Sequence, residues 1–188
     1  MERKDWSGVR LIVLADEIAS CEQNGLAMPV LKQILADCGF DQRYHVMLWS
    51  EMKAGIPAGS QPYALVTLQV TQTAEELARF SICVSDYDYD LQMPDGETVP
   101  ENCQMLTYSA TSDNADFTAR NIRNFQEKGF AFEMVGVGVI GRIQLRNGSE
   151  QAVRGSLIAA SAALTCGIPF AEVLEALNHI SMAYFQEG

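Results

Sequence analysis

The sequence predicts an α/β protein: a three-layer, mostly parallel sheet with helices, plus a small antiparallel three-stranded meander. Three observations carry this. Short β-branched apolar runs alternate with helically spaced segments between residues 9 and 84, the pattern of parallel strands joined by crossover helices. Three β-like runs follow between residues 117 and 145, separated by segments short enough for hairpins. The chain then turns helical.

Val9 to Leu14 reads as a buried strand, and Ala15 to Gln23 as a loop or short helix. Met28 to Cys38 is a helix: Val30, Leu31, Ile34, Leu35 and Cys38 share one face, Pro29 fits the first turn and Gly39 is the stop. Tyr44 to Trp49 is a second strand, Ala54 to Pro62 a loop, and Tyr63 to Val70 a third strand. Thr73 to Arg79 is a short helix capped by Thr73, with Glu75 and Glu76 in its first turn. Phe80 to Val84 is a fourth strand, and the acidic stretch Ser85 to Glu101, broken by Pro94, Gly96 and Pro100, is surface loop. Gln104 to Ser109 adds a strand. The meander is Phe117 to Ile122, Phe130 to Val135 and Val139 to Leu145. Glu150 to Cys166 and Phe170 to His179 are the closing helices, and Val153, Leu157, Ala160 and Leu164 are the expected core face of the first.

The charge balance excludes some functions. The chain has 188 residues, with 13 basic and 24 acidic side chains and a net charge of -11. Binding to nucleic acid or to an anionic membrane needs a basic face, so neither partner is expected. No apolar run is long enough to span a bilayer, and Met1 to Trp6 lacks the apolar stretch of a signal peptide, so the expected location is cytoplasmic. Cys21, Cys38, Cys83, Cys103 and Cys166 contain no C-x-x-C pair and read as small buried hydrophobes. Cys21, beside Glu22, is the one candidate reactive thiol. His179 reads as structural.

Asp86, Asp88, Asp90 and Glu97 occupy positions 1, 3, 5 and 12 of a calcium-binding loop register. Leu91 stands where that loop requires glycine, and Pro94 and Pro100 interrupt the following helix. The competing readings are a weaker divalent-ion site built from two of these carboxylates and a solvated acidic loop. Residues 80–119 contain no Lys or Arg, whereas residues 120–154 contain six: Arg120, Arg123, Lys128, Arg142, Arg146 and Arg154. That asymmetry marks either an anion or partner surface or ordinary outward strand positions.

Ala115-Asp116-Phe117-Thr118-Ala119-Arg120-Asn121-Ile122, then Gly129-Phe130-Ala131-Phe132, then Leu164-Thr165-Cys166-Gly167-Ile168-Pro169 and the helix Phe170 to Leu177 follow one another in the order and spacing of a known family. Together they resemble the Mur ligases, ATP-dependent amino-acid ligases of peptidoglycan synthesis, over roughly residues 80 to 180. Ser85-Asp86-Tyr87-Asp88 stands near that family's N-x-D-D turn. The resemblance implies one shortened central domain over residues 1–188: an α/β part at 1–84, the acidic loop at 85–101, and the meander with its helices at 102–188.

The departures bear on chemistry. The family's phosphate loop, G-x-x-G-K-T, cradles ATP with backbone N–H groups and a lysine. The nearest stretch here is Asn24-Gly25-Leu26-Ala27, with leucine in the lysine position and alanine where a hydroxyl binds magnesium. The family's G-x-H-N-x-x-N phrase aligns with Ser149 to Gly155, so Gln151, Ala152 and Gly155 replace its histidine and asparagines. The family's long middle stretch and its two flanking domains have no counterpart. The resemblance therefore implies a domain without ATP chemistry, no catalytic residue and no cofactor, that binds a partner protein or a small ligand. The alternative is a divergent ligase or nucleotide-binding subunit completed by another chain. Eight Met, eight Phe and the apolar tail Ile180 to Phe185 lead to an expected homodimer or hetero-complex, with the last helix or the meander at the contact.

Overall fold

The structure is a computed structural model that describes residues 5–20, 25–89, 91 and 93–185. Its strands are β1 (Arg10–Leu14), β2 (Tyr44–Leu48), β3 (Gln61–Thr67), β4 (Ile82–Asp86), β5 (Gln104–Ser109), β6 (Phe117–Asn124), β7 (Phe130–Gly136) and β8 (Val139–Leu145). The helices are α1 (Asp16–Ser20), α2 (Ala27–Asp37), α3 (Trp49–Ala54), α4 (Ala74–Leu77), α5 (Glu150–Thr165) and α6 (Phe170–His179).

All eight strands form one sheet in the order β2-β1-β3-β4-β5-β6-β7-β8. The first six are parallel, and β6-β7-β8 are antiparallel. The meander is thus continuous with the main sheet, joined where Tyr108 and Ser109 of β5 pair with Phe117 and Thr118 of β6. This matches the expected α/β class and shows how its two parts connect.

One face of the sheet carries the larger core. Ile12, Val66, Val84, Phe132, Met134, Ile143 and Leu145 pack there against α2, α5 and α6. Val153, Leu157 and Ala160 of α5 are buried on that side and Leu164 is half-buried, as its helical spacing requires. The opposite face has a smaller core of Leu11, Val13, Leu65, Leu77, Phe80 and Cys83. Thr73 caps α4 reciprocally: its hydroxyl accepts from Glu76 N at 3.2 Å, and Glu76 accepts from Thr73 N at 3.2 Å.

Three boundaries differ from the sequence expectation. α3 forms where a strand end and loop were expected, and Glu51 accepts from Leu48 N at 2.7 Å to start it. β3 begins at Gln61. β4 is displaced by two residues, because pairing Ala64 with Ile82 and Asp86 with Tyr108 aligns it between β3 and β5. That shift takes Asp86 out of the expected surface loop and buries it at a strand end, 2% exposed. The loop reading holds only beyond it.

A bulge between Arg120 and Arg123 bends β6, with Asn121 at φ 51°, a left-handed conformation asparagine tolerates. The exposed edge strand β8 is sealed by side and main chain. Asn178 accepts from Gln144 N at 2.8 Å and donates to Arg142 O at 3.2 Å, while Met182 N donates to Arg146 O at 3.1 Å. Phe185 packs half-buried against the larger core; the Tyr184 side chain lies outside the described residues. Among the described residues, no helix is long and apolar enough to cross a membrane.

The β6–β7 turn depends on Gly129. Its φ is +93°, and a Cβ there would stand 2.1 Å from Leu145 O and 2.9 Å from Asn147 N. Both contacts are with backbone, so no rotamer change relieves them. Gly129→Ala is expected to lower stability by roughly 3 kcal/mol, combining left-handed strain and overpacking. Urea unfolding measures this; a change below about 1 kcal/mol would show that the turn yields.

Candidate functional site

In open α/β sheets, ligands bind beyond the carboxyl ends of the strands, where the strand order reverses. Here the order reverses around β1, which has β2 on one side and β3 on the other. Polar side chains gather along that edge. Glu17 of α1 accepts from Thr67 Oγ1 at 2.9 Å, Asp16 accepts from Ser50 N at 3.0 Å, and Tyr108 Oη donates to Thr67 O at 3.2 Å.

Asp86 lies next along the edge. Its carboxylate pairs with Arg154 of α5 and accepts from Asp88 N at 3.0 Å. Burial is the strongest influence on Asp86 and pushes its pKa above the usual carboxylate range, against the opposing pull of the Asp88 amide and the Arg154 guanidinium. The same burial, with Asp86 nearby, drives the Tyr108 hydroxyl well above its ordinary value. Asp88 accepts from Ser109 Oγ at 3.1 Å and from Thr111 Oγ1 at 2.6 Å. Those bonds tie the start of the acidic loop to the end of β5.

The carboxylates of the calcium-loop register are thus dispersed. Asp86 is occupied by arginine and Asp88 by hydroxyls, while Glu97 accepts from Ala74 N at 2.6 Å at the start of α4. Asp90 lies outside the described residues. Among the described residues, no three His, Cys, Asp or Glu side chains are placed to hold a metal ion.

The two stretches aligned with nucleotide contacts do meet. Gly155 of α5 faces the start of α2, where an added Cβ would stand 3.1 Å from Leu26 Cβ and 3.2 Å from Ala27 N. Ala27 is buried, and Leu26, half-buried, offers no side-chain cap to α2. Gly25 is half-buried beside them, and Asn24 and Cys21 lie outside the described residues. Gln151 is exposed on the first turn of α5 and lines a cleft of about 490 Å³ with Thr111, Ile122, Glu150 and Arg154. Around Gly155, Arg154 Nε and Ser156 Oγ are buried without hydrogen-bond partners.

The sequence reading missed the Asp86–Arg154 pair. Its signal is a lone cation within an otherwise apolar helical run, but the partner is 68 positions away. Cys83, Cys103 and Cys166 are free and buried as expected, and burial pushes Cys166 up to about 12, whereas free Cys38 is only half-buried. His179 Nδ1 is 2.8 Å from Glu175 O and shares a groove with Asp37, Glu172 and Glu175.

No protein-family model matches the chain, and no curated protein matches it by sequence. Solved structures match its fold. The chain aligns with MurF from Acinetobacter baumannii at 13% identity and a TM-score of 0.63, covering 93% of this chain and 46% of that one. A UDP-N-acetylmuramoyl-L-alanyl-D-glutamate–2,6-diaminopimelate ligase aligns at 14% identity and a TM-score of 0.66, with coverage of 93% and 46%. A pseudomurein peptide ligase type C from Methanothermus fervidus aligns at 13% and 0.64, with coverage of 94% and 50%. The chain therefore spans about half the length of these ligases.

Because Asp86 titrates high in the folded state, folding favours its protonated form; that contribution is present in acid and is lost as pH rises through the folded pKa. Removing Arg154 removes a downward influence and raises this pKa further. Arg154→Met is expected to cost about 3 kcal/mol at pH 7, the low end for a broken buried pair. The loss should shrink as pH falls and Asp86 takes up a proton. Urea titrations across pH measure it; an equal loss at every pH would assign the effect to packing of the arginine stem. By these matches, the chain has a fold similar to that of the Mur ligase central domain.

Proposed function

We propose that this chain is a Mur-ligase-central-like domain, spanning residues 1–188, that binds a partner protein or small ligand in cell-wall metabolism and does not itself use ATP. The fold supports the ligase-like part of this reading. The contact of Gly155 with Leu26 and Ala27 carries the rest. A P-loop holds phosphates with backbone N–H groups and a lysine at the start of a helix that follows a strand. At the start of α2 stand an apolar leucine and a buried alanine, closed against α5. Gln151 and Gly155 take the places of the histidine and asparagine that the family uses at the other nucleotide contact. Gln151 has no imidazole, and Gly155 has no side chain to supply an amide.

The rival reading is a nucleotide-binding subunit completed by another chain. The open cleft beside Gln151 and Arg154 is the observation in its favour.

Each lost charge-assisted contact costs roughly 1.5–3 kcal/mol, so losing a few weakens binding by orders of magnitude. Isothermal calorimetry with magnesium and ATP is therefore expected to show no saturation in the micromolar range. Clear saturation there would overturn the reading and favour the rival.

A further inference from the structure

The smaller-core face of the sheet is covered over β1, β3 and β4 by α3, α4 and the chain around Met93 and Cys103. Over the meander the same face is open. Phe132, Met134, Ile143 and Leu145 point into the larger core, so Glu133, Val135, Ile140, Arg142 and Gln144 point the other way. Register lines up Arg120, Glu133 and Arg142 across β6, β7 and β8, with Arg123, Ala131 and Gln144 in a neighbouring row.

Charge on this face is unbalanced. Arg120 pairs with Asp113, and Glu133 accepts from the Asn121 amide. Arg123 and Arg142 are exposed and form no ion pair among the described residues. Residues 117–146 hold five basic against two acidic side chains, in a chain whose net charge is -11. Apolar side chains stand at one end of the same surface: Ile140 is 63% exposed and Val137, at the β7–β8 turn, 79%. Unpaired arginines with apolar neighbours on a rigid, uncovered sheet face are the composition of a docking surface.

We propose that the open face of β6–β8 docks an acidic surface of a different protein, with carboxylates meeting Arg123 and Arg142 and apolar side chains covering Val137 and Ile140. This rests on the partner-binding reading above and names the chemistry of the partner. Charge complementarity selects the occupant. A symmetric dimer through this face would set two basic surfaces against each other, which opposes association. A head-to-tail contact between copies would leave an open chain of molecules.

The test uses fluorescence anisotropy with a labelled peptide of alternating glutamate and valine, beside a glutamate–serine peptide and a thymidine oligonucleotide of matched charge. Three forms are compared: the unaltered chain, Arg123→Glu/Arg142→Glu and Val137→Ser/Ile140→Ser. All substituted positions are exposed, and circular dichroism checks that each variant folds. The glutamate–valine peptide is expected to bind the unaltered chain. Charge reversal should weaken it on the order of tenfold or more, and the serine pair several-fold. The glutamate–serine peptide should bind more weakly than the valine-bearing one. No binding of the glutamate–valine peptide, equal binding of the two peptides, or tighter binding of the oligonucleotide would overturn the proposal. So would a light-scattering mass that doubles in the unaltered chain and returns to 20.7 kDa on charge reversal, which would make a second copy the occupant. None of these outcomes depends on ATP, so this proposal and the ATP-free reading fail separately.

Discussion

The close approach of α5 to the start of α2 is the constraint on which the molecule turns. α5 and α2 lie side by side on the same face of the sheet, and Gly155 is the position that lets the two helices touch. A side chain there would meet Leu26 and the backbone of Ala27 at 3.1–3.3 Å. Alanine and serine on the same side of the helix as Gly155 keep the surroundings small: Ala152, Ser156, Ala159 and Ala163 are all fully buried. Small residues allow two helices to approach and gain dispersion contacts over their length. The same contact seats the start of α2 directly against α5.

Both ends of α5 are anchored by polar groups from the sheet. At its carboxyl end, Tyr63 Oη donates to Thr165 O at 2.8 Å and Tyr44 Oη to Cys166 O at 3.1 Å, satisfying carbonyls that have no partner within the helix. Arg10 supports this corner by donating to Tyr44 Oη at 3.3 Å and stacking on Tyr63. At the amino end, Ser149 caps the first turn, and Arg154 reaches the buried Asp86. A buried ion pair adds little net stability over an apolar substitute, yet removing one partner is costly. Its consequence here is placement: it sets the register of α5 against β4 and holds Asp88 beside Ser109 and Thr111.

The sheet itself is asymmetric in its cover. Larger helices line one face from end to end, whereas the other is covered only over the first strands. The uncovered part carries Arg120, Arg123 and Arg142, in a chain that is acidic as a whole. The solved ligases matching this fold are about twice its length.

Much of the fold was legible by itself in the sequence, because strands and helices follow from local hydrophobic period. Val9 to Leu14, the Met28 to Cys38 face, the three runs of the meander and the core face of α5 are repeats over a few residues, and each formed close to its expected bounds. The Thr73 cap with Glu76 is equally local. Other features needed the tertiary structure. Strand order, and with it the fusion of meander and parallel strands into one sheet, depends on pairing between distant segments. Asp86 reads as a loop carboxylate in any local window. It is buried because the register of β4 places it at a strand end and Arg154, 68 residues on, compensates its charge. The role of Gly155 is likewise invisible in its own helix, where glycine is only a poor helix former; its reason is the backbone of α2 against it. Local propensity determines which elements form, and burial and charge compensation across the chain decide how those elements pack and which side chains they leave exposed.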